Sequence, residues 1–144
     1  MRSQLRTRLK MHAINLPRPV VNNLLKLAQS KTDKEVCGLI SRQSNNEMKV
    51  YPVNNIASEP ERFFEMDPAE TINVMKQIRE SEAELFAIFH SHPHSPAYPS
   101  KTDIEQAGYP NALYLIISLN TKGVLELKGF KIQQDSVINI DLSL

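Results

Sequence analysis

The chain has 144 residues, 17 basic and 16 acidic side chains and a formal net charge of +1, which fits one domain without a strong electrostatic bias. Gripping phosphate backbone as a main task is set aside, because nucleic-acid binders usually carry a clear basic excess. At this length folding can bury roughly 70% of the unfolded surface. The single cysteine, Cys37, excludes an internal disulfide framework and a cysteine-rich zinc ribbon.

No stretch reaches the roughly 18 to 20 apolar residues of a membrane span. The opening MRSQLRTRLKMHAINLP lacks the uninterrupted apolar run of a signal peptide, so a cytoplasmic protein with no membrane partner is expected. Leu5, Thr7, Leu9 and Met11 alternate with Arg6, Arg8, Lys10 and His12, the period-2 pattern of a half-exposed strand with His12 on its solvent face. Pro17 and Pro19 introduce an amphipathic helix over 20–30. Glu35-Val-Cys-Gly-Leu-Ile-Ser41 and residues 48–53 read as two strands of a hairpin, with a polar turn at 44–47. A short strand is expected at 62–66. Asp67-Pro-Ala-Glu70 is a capped helix start, and that helix should run to about Glu82 with Ile72, Met75 and Ile78 in the core. Leu85-Phe-Ala-Ile-Phe89 reads as a buried central strand leading straight to His90. A loop with three prolines follows, then a helix capped by Ser100 and ending near Gly108, a strand at 112–119, a turn at 120–123, a strand at 124–132 and an edge strand at 137–142. Strands and helices in this order indicate an α/β layer structure with some antiparallel pairing.

Three of the four histidines, His90, His92 and His94, lie within five positions. Strand alternation sends His90 and His92 to the same side, where they can pinch a metal ion. Asp103, in the first turn of the next helix, is placed to be a third ligand. Two histidines and a carboxylate leave one tetrahedral position for water, as in catalytic zinc sites, and such a water is acidified toward neutral pH. Amide hydrolysis also needs a group that carries a proton from the water to the leaving nitrogen. Glu35 is the candidate, since burial at the start of an apolar strand would raise its pKa. Ser100 is the candidate donor to the oxyanion. His94 would close the site if it ligated, so it is read as a neighbouring loop residue. Cys37 is read as a small buried thiol, and Ser91 as a backbone partner on the opposite strand face.

Glu35, His90-Ser-His92, a gap of seven residues and Ser100-Lys-Thr-Asp103 together resemble the motif of the JAMM (MPN+) metalloprotease family, with every motif position filled. Glu35-Val-Cys-Gly-Leu is also similar to the family's glutamate strand. Residues 54–68, with Arg62-Phe63 and Met66-Asp67-Pro68, are similar to the segment before its second helix; the likeness covers roughly residues 8–132. It implies a single-domain JAMM (MPN-like, cytidine-deaminase-like) α/β fold over residues 1–144, a mixed β-sheet flanked by helices. It further implies a zinc-dependent peptidase or isopeptidase with one Zn(2+) per chain. The implied substrate is the C-terminal tail of a ubiquitin-like, β-grasp protein of sulfur-carrier type, as for the short stand-alone prokaryotic members. By position, His90, His92 and Asp103 are implied metal ligands, Glu35 the general acid/base and Ser100 the oxyanion stabiliser. A homo-oligomer is compatible with all of this. The competing readings are a non-catalytic MPN-type binding module, which the complete ligand set disfavours, and a 2-His-1-carboxylate iron enzyme, in which Glu35 and Ser100 would have no part.

Overall fold

The computed structural model describes residues 13–120 and 124–144, so the strand and His12 expected before residue 13 and the turn centre at 121–123 lie outside them. Helix α1 (Arg18–Ser30) has Pro19 in its first turn, where a missing N–H costs nothing, and it buries Val20, Leu24 and Ala28 as a stripe spaced by four. Strands β2 (Cys37–Arg42) and β3 (Met48–Val53) form the expected hairpin. Before them, β1 (Ile14–Asn15) pairs in parallel with β8 (Leu142–Ser143) near the end of the chain.

The expected strand at 62–66 is not formed. Arg62 and Phe63 both donate backbone hydrogen bonds to Glu59, which folds this segment into a turn, and the pairing is reduced to one bridge between Asn55 and Met66. Asp67 then caps α2 (Pro68–Glu80), accepting from the backbone of Ala69 and Glu70. The helix ends before Glu82 because Glu82 takes the left-handed conformation, with φ 58°. Its core face is Val74 and Ile78, with Met75 partly buried, whereas Ile72 is 71% exposed. An i, i+3, i+6 stripe drifts round a helix, and Ile72 ends about 120° from Ile78.

Strand β4 (Glu84–His92) extends through both histidines and pairs in parallel with β5 (Leu113–Ser118), while α3 (Lys101–Gln106) lies in the crossover between them. Strands β6 (Glu126–Gln133) and β7 (Ser136–Ile140) complete a six-stranded mixed sheet of order β3-β2-β4-β5-β6-β7. One face carries α1 over Ile40, Phe89, Leu115 and Ile117. The other carries α2 over Leu39, Ile88, Ile116 and Phe130. Burial on both faces explains why β4 and β5 read as unbroken apolar runs. No described helix is long and apolar enough to cross a membrane.

Candidate metal centre

The β2–β4 register builds the site. Cys37 lies opposite His90 in the antiparallel pair. Beyond it the ladder continues through Ser91 N to the Val36 carbonyl at 3.0 Å and through Val36 N to Ser91 Oγ at 2.9 Å. One residue further, Glu35 comes opposite His92, and period-2 alternation turns Glu35, Cys37, His90 and His92 to the same face. Glu35 itself is pinned by its N–H on the Pro60 carbonyl and by Asn55 Nδ2 on its own carbonyl, at 2.7 and 2.9 Å.

Asp103 arrives from α3. Its N–H donates to Ser100 Oγ at 3.0 Å while Ser100 N donates to Asp103 Oδ2 at 2.9 Å, the reciprocal capping box that fixes the first turn. The same Oδ2 faces His90 Nε2 at 3.0 Å and His92 Nε2 at 3.1 Å, and the two Nε2 atoms are 3.0 Å apart. His92 Nδ1 donates to the Pro96 carbonyl at 2.7 Å, so the proline-rich loop fixes the tautomer that leaves Nε2 as the inward lone pair.

A near-equilateral triangle of two imidazole nitrogens and a carboxylate oxygen is electrostatically poor without a cation. These are zinc-type donors, and tetrahedral bonds of about 2.0 Å would set such donors about 3.3 Å apart. With Glu35 included, the ligand atoms of all four residues lie within 4.8 Å of one another. The residues therefore fit a divalent metal ion, and His94 is not among them.

Burial pushes the Glu35 carboxyl up to about 8, with opposing contributions from His92 and Asp103. Its Oε1 has no hydrogen-bond partner among the described residues. Burial lowers the pKa of His90, whereas for His92 the bonds to Asp103 and Pro96 outweigh burial and raise it. Asp103, despite its burial, is held well below the usual carboxylate range by hydrogen bonds to the two histidines. Cys37 is buried, points its thiol at the Val53 carbonyl, and is pushed up to about 12 mainly by desolvation.

The sequence reading placed all five candidate residues in this neighbourhood but missed two that hold it in shape. Asn55 uses its amide fully: Nδ2 donates to the carbonyls of Glu35 and Phe63, and Oδ1 accepts from Ala57 N and Glu65 N. Phe64 stacks on the His90 ring, with 4.3 Å between centroids. Two adjacent phenylalanines in an acidic segment were the available signal. Beside the cluster opens a groove of about 390 Å³ whose apolar lining includes Phe64, Met66, Ile72, Tyr109 and Tyr114.

Fold and cluster define a mixed-sheet α/β domain with a group of side chains that could hold a metal ion, brought together from the end of β4, the residue two before β2 and a short helix. The chain belongs to the family described as prokaryotic homologs of the JAB domain, whose model matches residues 17–128. It is 38% identical over 86 residues to the desampylase of Haloferax volcanii, covering 58% of this chain and 62% of that protein. It is 28% identical over 120 residues to the CysO-cysteine peptidase of Mycobacterium tuberculosis, covering 82% of each chain. The solution structure of protein DSY2949 from Desulfitobacterium hafniense is similar at a TM-score of 0.78 and 34% identity, over 90% of this chain and 91% of that one.

Proposed function

We propose that the chain is a zinc peptidase or isopeptidase, one catalytic domain acting in the cytoplasm. It hydrolyses an amide at the C-terminal tail of a ubiquitin-like protein of sulfur-carrier type. The observation that carries this reading is the convergence of Glu35, His90, His92 and Asp103, from three separate segments, within 4.8 Å. Relatives that are a desampylase and a CysO-cysteine peptidase support it.

In this reading His90, His92 and Asp103 hold the ion. When bound, zinc polarises the scissile carbonyl and lowers the pKa of water from 15.7 toward about 7. Glu35 takes the proton released by the attacking water and hands it to the leaving nitrogen, the part suited to a buried carboxyl beside the ligands. Ser100 Oγ accepts from Asp103 N, so its hydroxyl hydrogen is left to donate to the oxyanion of the substrate. The apolar groove lined by Phe64, which also stacks on His90, offers a substrate tail an apolar surface.

The test pairs metal analysis with a substrate panel. Protein purified without added metal should carry about one zinc per chain. It should cut ubiquitin-like carrier proteins bearing C-terminal extensions at the tail, as located by mass spectrometry. Chelation should abolish cutting, and Glu35→Gln should keep the zinc while losing turnover by about 10²-fold or more. Full activity in Glu35→Gln, or iron with oxygen-dependent turnover, would sink the reading.

A further inference from the structure

The two histidines of the cluster are held by different means. His92 is anchored by the hydrogen bond from Nδ1 to the Pro96 carbonyl. His90, 1% exposed, has no partner for Nδ1 among the described residues, although metal-binding imidazoles are usually oriented by just such a bond. Its backbone is fixed by pairing to Cys37 on one side and Ile116 on the other. That leaves the ring's own torsion, which is intrinsically broad for histidine. What meets the ring is the flat face of Phe64, at 4.3 Å between centroids and 24° between planes.

Phe64 is in turn held from both sides. Asn55 bonds the Phe63 carbonyl and Glu65 N at 2.9 Å each, and Ile56 N bonds the Glu65 carbonyl at 2.8 Å. The same Asn55 amide bonds the Glu35 carbonyl. We infer that Phe64 is a positioning residue for His90: its ring, fixed by the Asn55 clamp, replaces the missing hydrogen bond and aims His90 Nε2 at the point shared with His92 and Asp103. The inference rests on the reading of His90 as a metal ligand.

Phe64→Leu, Phe64→Tyr and His90→Ala are compared with the unaltered chain by zinc competition against a chromophoric chelator and by the visible spectrum of the cobalt(II)-substituted protein. Metal-free circular dichroism and melting provide the folding control. Phe64→Leu is expected to fold, to bind zinc ten- to a hundredfold more weakly and to shift the cobalt bands, while Phe64→Tyr, which keeps the ring, stays within about threefold of the parent. Should the leucine variant not fold, Phe64→Met, another side chain without a flat face, is held to the same expectation. Parental affinity with unshifted bands in the ring-less variant, or a tyrosine variant as weak as it, overturns the positioning role. If the parent binds no zinc, or His90→Ala binds it as tightly as the parent, the reading of the site itself fails and takes the inference with it.

Discussion

Glu35 is a carboxyl folded into a place that favours its neutral form. With its pKa raised from 4.5 to about 8, the metal-free folded chain holds a proton between those values that the unfolded chain has released. Its contribution is therefore fully present below pH 4.5 and is lost as pH rises through 8, at up to about 1.4 kcal/mol per pH unit. The stability of the metal-free parent relative to metal-free Glu35→Gln should fall between pH 5 and pH 8, as read by urea denaturation. A constant difference would mean that Glu35 ionises normally in the folded chain. Asp103 behaves in the opposite sense: its contribution is present above the ordinary carboxylate pKa and is lost on acidification. The grouping of these residues was legible in the sequence because Glu, His-x-His and Ser-x-x-Asp are types and spacings that few other tasks require. Asn55 and Phe64 were not, because each acts through partners that neither periodicity nor spacing brings together.

At the level of elements, local rules read well where the cause is local. Asp67 and Ser100 were recognised as caps because a capping side chain bonds N–H groups only two or three residues away. Asp67→Ala should cost about 1 kcal/mol and lower Tm by about 3–5 °C, with zinc affinity nearly unchanged. A large loss of affinity would show that α2 is coupled to the site. The strand expected at 62–66 failed for the converse reason: Phe64 stacks on His90 and, with Met66, lines a groove, and only Met66 bridges to a neighbouring segment. The β2 strand has a stricter requirement. A Cβ at Gly38 would meet the Tyr51 carbonyl oxygen and the Phe89 ring, with Cζ at 2.5 Å. Relief needs movement of β3 or of a buried aromatic ring. Gly38→Ala should therefore destabilise by about 3 kcal/mol or more in urea unfolding. Its turnover should fall too, because the same register sets Glu35 opposite His92; an unchanged midpoint would show that the hairpin yields freely.

For the whole molecule, the proposed zinc reading links the ion to the fold. Of the four side chains that could hold an ion, His90, His92 and Asp103 come from β4 and α3, and Glu35 comes from the chain before β2, so the complete cluster exists only in the folded state. Free zinc at about 100 times its Kd should stabilise the fold by about 2.7 kcal/mol, a rise in Tm of roughly 8–14 °C that chelation reverses. No shift in a scanning calorimeter would separate metal from fold. The β4–α3–β5 crossover adds a consequence for the order of events. Parallel strands can pair only after the chain between them has closed, a slow and non-local step. His90 and His92 are available to an ion as soon as β4 exists, but Asp103 rides on the crossover and reaches them only when it docks. Refolding in the presence of cobalt should thus give its tetrahedral colour late, as a clock for crossover closure.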